Sequence, residues 1–110
     1  MKKEPAIYIE HILEAARKIN RYAASGEEAF YGDEMLQDAI IRNFLVIGEA
    51  TKRIPEEYRE TAKEIPWKLM AGFRDKLIHA YEDIDLTIVW DTIRDDIPPL
   101  IDSLEDHFPA

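Results

Sequence analysis

The sequence predicts an all-α fold: an antiparallel bundle of four main helices with short extra helical turns, in a chain expected to be homodimeric. Three observations predict it. Apolar residues recur at three- and four-residue spacing through four long segments. No segment alternates with the period of two that a half-buried strand requires. Capping and breaking residues (Asp33, Asp85, Ser25-Gly26, Pro55) fall between those segments rather than inside them.

The first helix is expected from about Pro5 to Ala24. Pro5 suits a first-turn position, Ile12, Ala16, Ile19 and Ala23 keep the helical period, and Ser25-Gly26 ends it. Glu27 to Tyr31 reads as a short turn or a one-turn helix. Asp33 is an N-cap for the second main helix, with Glu34 favourable near its dipole. Leu36, Ile40, Phe44, Ile47 and Thr51 line one face, and Ile41, Leu45 and Val46 widen the apolar surface beyond one stripe. Such a helix is central, or it faces both the core and a second subunit. Pro55 stops it, and the polar stretch to Ile65 holds one short turn through Glu56-Glu57-Tyr58. Pro66-Trp67 opens the third helix, with Met70, Phe73, Leu77 and Tyr81 on one side. Glu82-Asp83-Ile84 reads as a tight connection. Asp85 caps a last helix carrying Leu86, Val89, Ile93, Ile97, Leu100 and Leu104, and Pro98-Pro99 should kink it or split it in two.

The length of 110 residues makes one domain, residues 1–110. With 46% hydrophobic residues it can build a core, but a domain this size buries only roughly 60–70% of its unfolded surface, so self-association would add burial. There is no cysteine, which excludes disulfides, thiolate metal sites and cysteine nucleophiles and fits a reducing cytoplasm. Neither a signal peptide nor a membrane span is expected, so the chain reads as soluble and cytoplasmic. Its net charge of −9 is unevenly spread: residues 1–41 carry −3, residues 42–76 carry +2 and residues 77–110 carry −8. A generic polyanion binder would be basic throughout. Any nucleic-acid contact must therefore be local, and an acidic surface suits a basic partner protein.

The basic excess leads into Arg74-Asp75-Lys76-Leu77-Ile78-His79-Ala80-Tyr81, which sets a fixed cation, an imidazole and a phenol within eight residues. A guanidinium matches a phosphate through its fork of donors and stabilises charge on a phosphorane. An imidazole exchanges protons near neutral pH, assisting a ribose 2′-hydroxyl or protonating a leaving 5′-oxygen. That chemistry cleaves RNA without a metal. However, at about 100° per residue His79 lies about 140° from Arg74 on one helix. Either the helix loosens near His79, or a two-fold dimer brings two such segments into a shared cleft with two histidines. The bland reading stands beside this: His79 as a structural histidine, Arg74 paired with Asp75 or Glu82, and Tyr81 as a core aromatic. Elsewhere, His11 with Glu10 or Glu14 has metal spacing but lacks a second histidine. His107 falls in a frayed tail, and the acidic run Asp91, Asp95, Asp96, Asp102, Glu105 and Asp106 reads as a solvated face. Trp67 and Trp90 read as core, and Lys52-Arg53, Lys63 and Lys68 suit a phosphate path or an ordinary surface.

The pattern Arg74-x4-His79-x-Tyr81 resembles the R-x4-H-x-Y motif of HepT-like proteins of the HEPN superfamily, with Asp75 where Asn is common. The resemblance extends along most of the chain. It includes Tyr8 to Leu13 in the first helix, Asp38 to Ala50 in the second (Asp-Ala-Ile-Ile-Arg-Asn-Phe-Leu-Val-Ile-Gly-Glu-Ala), Ile65-Pro66-Trp67 before the motif, and Asp85 to Trp90 opening the last helix. It implies a helical homodimer whose motifs meet at the interface. It implies a metal-independent RNase, with no cofactor, that is the toxin of a type VII toxin–antitoxin pair. The partners implied are an RNA substrate (transfer or messenger RNA, not DNA) and an MntA-like nucleotidyltransferase antitoxin that transfers AMP from ATP to the motif tyrosine. Carried onto this sequence, the resemblance makes Arg74 and His79 catalytic. Tyr81 becomes the modification site and a substrate-positioning group, with Asp75, Arg42 and Glu49 supporting. Two other classes compete: a non-catalytic helical binding partner of a nucleotidyltransferase, which the charge of −9 favours, and a plain structural dimeriser.

Overall fold

The computed structural model describes residues 4–79 and 83–108, the side chains of residues 78 and 79 excepted. Among the described residues there are seven α-helices and no strand: α1 (Pro5–Tyr22), α2 (Glu27–Gly32), α3 (Glu34–Arg53), α4 (Glu56–Arg59), α5 (Trp67–His79), α6 (Leu86–Asp95) and α7 (Ile97–His107). The all-α expectation holds.

Local chemistry sets most boundaries. Proline stands at the start of α1, where its missing N–H leaves no intrahelical bond unmade. A 3₁₀ turn, Ala23–Ser25, follows α1, and Gly26 turns the chain at φ +98°, a value that side chains with a Cβ rarely adopt. The Asp33 carboxylate accepts from the Leu36 N–H at 3.2 Å and caps α3. The Asp85 carboxylate does the same for α6 from the Thr87 N–H at 2.9 Å. The segment after Pro55 forms α4 and a second 3₁₀ turn, Glu60–Ala62, rather than one turn. Pro98 and Pro99 split the last helix: α6 ends at Asp95, and both prolines sit in the first turn of α7, where no intrahelical donor is required.

The long helix α3 is central, packing against α1 on one side and α5 on the other, while α7 returns along α1 and α6 bridges α7 and α2. Most of the expected apolar positions are core, while Ala23, Leu36, Phe73 and Leu86 are only half-buried and Phe30, Ile54 and Ile65 join the core. Ile12, Ala16, Ile19, Ile40, Ile47, Val89, Ile93, Ile97, Leu100 and Leu104 are buried, and Phe44 and Trp90 add rings against Phe73 and Phe30. Each large side chain so buried contributes about 1.5–3 kcal/mol of transfer free energy. The buried Thr51 hydroxyl is satisfied by donating to the Ile47 carbonyl at 2.8 Å. The second apolar face of α3 is less enclosed: Ile41, Leu45 and Val46 are only half-buried. No described helix is long and apolar enough to cross a membrane.

Candidate functional site

The helices α3 and α5 cross at Gly48. A Cβ there would lie 2.0 Å from the Arg74 Cβ, 2.6 Å from its Cγ and 3.2 Å from the Met70 carbonyl oxygen. Only glycine fits, so the missing side chain is what lets the stem of Arg74 lie on the α3 backbone. Its guanidinium then reaches two carboxylates. Nη2 donates to Glu49 Oε2 at 3.1 Å and Nη1 to Asp75 Oδ1 at 3.2 Å. The network extends at both ends, from Lys52 Nζ to Asp75 Oδ1 at 2.5 Å and from Arg53 Nη2 to Glu49 Oε1 at 3.3 Å. Hydrogen bonding by the Lys52 ammonium, helped by Arg74, holds the Asp75 carboxyl below the usual carboxylate range. The Arg74 side chain keeps 25% of its surface exposed. It is therefore fixed by its own chain yet still reachable, which is what recognition of a phosphate requires.

Arg74 opens onto a groove of about 530 Å³. From α3 come Arg42, Leu45, Val46, Glu49 and Arg53, which share one face by their spacing. From α1 come Tyr8 and His11. The lining carries three guanidiniums against one carboxylate, in a chain of net charge −9. The fold thus brings Arg42, Glu49 and Asp75 into the neighbourhood of Arg74. Glu49 and Asp75 both pair with Arg74, and the expected pairing with Glu82 falls outside the described residues.

The other motif residues stand differently. The backbone of α5 is helical without a break from Arg74 to His79, so the helix does not loosen before the histidine. By helical spacing the position of His79 falls on the stripe of Lys68, Gly72 and Lys76, all exposed, and away from the face that crosses α3. Tyr81 and Glu82 lie outside the described residues.

Some secondary expectations hold and others change. Lys63 and Lys68 line a separate groove of about 520 Å³ with Trp67 and do not continue the path from Arg53. Trp67 is buried, with its indole N–H donating to the Arg59 and Ala62 carbonyls at 3.0 Å each, and Trp90 is buried against Phe30. His107 is not frayed: it ends α7, meets the Ser103 carbonyl at 3.0 Å through Nδ1 and lies 3.0 Å from Glu64 through Nε2. The acidic run is solvated, all six residues being exposed, with Asp91 and Asp95 paired to Arg94. No group of three or more His, Asp or Glu side chains among the described residues is arranged to hold a metal ion. Sequence reasoning missed the site roles of Gly48, Tyr8 and His11. The only signal for Gly48 was a glycine in the middle of an otherwise strongly helical segment, where its cost relative to alanine asks for a packing reason.

Residues 12–106 match the family described as ribonuclease HepT-like. Three relatives are similar over nearly the whole chain. One, from Methanocaldococcus jannaschii, is named "Gamma-glutamylcyclotransferase and putative RNase" and is 44% identical over 91% of this chain and 46% of its own length. The chain therefore spans less than half of that relative. Another, a "Putative RNase" of Caldanaerobacter subterraneus subsp. tengcongensis, is 43% identical over 89% of this chain and 88% of its own. The third, "Probable ribonuclease HepT" of Thermococcus cleftensis, is 43% identical over 91% of this chain and 92% of its own. No solved structure matches the chain.

Proposed function

The chain belongs to the HepT-like ribonuclease family, and from that premise we propose that it is a metal-independent endoribonuclease and the toxin of a type VII toxin–antitoxin pair. The observation that carries the reading is the placement of Arg74: fixed by Gly48, Glu49 and Asp75, and opening onto a locally basic groove of an acidic protein. In the proposed reaction the ribose 2′-oxygen attacks the adjacent phosphorus and the bond to the 5′-oxygen breaks. The products are a 2′,3′-cyclic phosphate and a free 5′-hydroxyl. His79 acts as general acid/base, one imidazole taking the 2′-hydroxyl proton and another returning a proton to the 5′-oxygen. Arg74 exchanges part of its carboxylate pairing for the phosphorane, whose charge it stabilises.

Two imidazoles at one linkage require a homodimer. The continuous helix from Arg74 to His79 supports this, because one protomer sets the two positions about 140° apart. Control is proposed to act at Tyr81. An MntA-like nucleotidyltransferase joins the tyrosyl oxygen to the α-phosphorus of ATP and releases pyrophosphate. The attached AMP brings bulk and a negative charge near the histidine, which repels an RNA phosphate.

Inducing the chain alone should arrest growth, and His79→Ala should relieve the arrest while the protein remains folded. Equal arrest by the variant rejects the role of His79. Incubation with ATP and the partner enzyme should add one AMP mass per chain, and an equal gain in Tyr81→Phe rejects the modification site. One observation favours a second reading, in which the chain is a non-catalytic partner of a nucleotidyltransferase: both carboxylates beside Arg74 are already bonded to it. A purified dimer that binds the nucleotidyltransferase tightly and cleaves no RNA selects that reading.

A further inference from the structure

The α1 wall of the groove is not used by the chemistry above. Tyr8 is half-buried and His11 exposed, one turn apart, with ring centroids 6.1 Å apart and planes at 84°. Facing them, α3 places Arg42 and Arg53 on one face, three turns and roughly 16 Å apart along its axis, with Glu49 and the end of Arg74 between. Both arginines are exposed. The lining thus sets guanidiniums from α3 and α5 opposite ring surface from α1, with Leu45, Val46 and Ala50 as apolar lining. A bare phosphate has no use for the rings, and an acidic peptide has none for a stacking surface. Single-stranded nucleic acid uses both, since each nucleotide offers a backbone charge and a π-face.

We propose that this groove is a binding track for single-stranded RNA flanking the cleaved linkage. Arg42 and Arg53 hold phosphates on either side of Arg74, and Tyr8 with His11 receives a base. The track rests on the ribonuclease reading for its connection to cleavage, but binding itself does not require cleavage. The local inversion of charge explains how a protein of net charge −9 can engage a polyanion: the strand is confined to one groove instead of being attracted everywhere.

The test is fluorescence anisotropy of a labelled 2′-O-methyl uridine octamer, which lacks the attacking hydroxyl, titrated with the full chain across a range of salt. Tyr8→Leu, which keeps apolar bulk, should weaken binding roughly fivefold or more at every salt concentration and leave the salt slope unchanged. His11→Ala should act in the same direction. Arg42→Ala or Arg53→Ala should each lower the slope of log K against log salt by about 0.7. Lys63→Ala, in the other groove, should do neither. A Tyr8→Leu protein that is folded by circular dichroism and binds like wild type overturns the track, as does a Lys63→Ala defect equal to that of Arg42→Ala. The outcomes also separate the track from the nuclease reading. Wild type that cleaves RNA while Tyr8→Leu binds and cleaves normally rejects the track alone. Wild type that binds the octamer in this pattern and cleaves nothing supports the track and rejects the nuclease.

Discussion

The two faces of α5 are built to different plans. The face that crosses α3 carries Arg74, has Gly48 directly beneath it, and is stitched by Glu49, Asp75 and Lys52. The opposite stripe, on which the position of His79 falls, is made of the exposed Lys68, Gly72 and Lys76, and the backbone at Gly72 has open space around it. One short motif therefore spans a side chain that its own chain has positioned and a position on a different stripe of the same helix. The difference teaches that sequence proximity within a motif is not proximity within a site. Five residues along a helix separate two groups by more than a third of a turn, and only tertiary or quaternary structure brings their functions together.

The sharpest way to break the comparison is kinetic. His79→Ala should lower kcat by about 10²–10⁴ and change the melting temperature less than Arg74→Ala, since helical spacing sets the position away from the crossing at Gly48. Arg74→Ala should lower kcat by about 10²–10³ and also lower the melting temperature, because Glu49 and Asp75 lose their shared partner. Equal thermal stability of the two variants would remove the distinction between the faces.

Next in size is a pair of glycine substitutions. Gly48→Ala forces α5 outward and should cost about 1–3 kcal/mol, or roughly 4–8 °C of melting temperature for each kcal/mol. Gly72→Ala meets nothing within 4 Å and lies inside an exposed helix, so it should stabilise by about 0.5–1 kcal/mol. A fall at Gly72 instead would mean that a second subunit closes on the outer stripe. The result therefore sharpens the dimer question either way.

The smallest effect concerns acid. The Asp75 carboxyl titrates below its unfolded value of about 3.9, so its contribution is fully present above that pH and is lost as the pH falls through the lower folded value. Asp75→Asn should melt slightly earlier than wild type at neutral pH, and the two melting curves should converge below about pH 4. A gap that persists unchanged in acid would show that Asp75 does not stitch the crossing through its charge.

Much of the fold was legible because helices announce themselves locally. The period of Ile12, Ala16 and Ile19, the caps at Asp33 and Asp85, and the break before Pro98-Pro99 each act within a few residues of where they are written. The site was legible only in part. Arg74 was picked out by its chemistry, and Arg42, Glu49 and Asp75 by resemblance. The pairing of Glu49 with Arg74 spans 25 residues and depends on how closely two helices approach, which no spacing rule encodes. Tyr8 entered only within the first-helix resemblance and His11 only as an incomplete metal ligand, because an aromatic one turn from a histidine is ordinary on any helix. They become a wall only when α1 packs beside α3. Lys63 and Lys68 were grouped with Arg53 on charge alone, and the geometry separates them.

Gly48 has a genetic corollary. If the chain restrains growth, survivors of its unopposed expression will carry inactivating changes, and this glycine should recur among them beside Arg74 and His79 although it has no side chain to do chemistry. The two kinds of survivor should look different in the cell. Changes at position 79 leave full-length protein at normal abundance, whereas changes at position 48 spread the α3–α5 crossing and expose the chain to proteases. A survey of escape alleles with an immunoblot would thus read the helix crossing without any structural measurement.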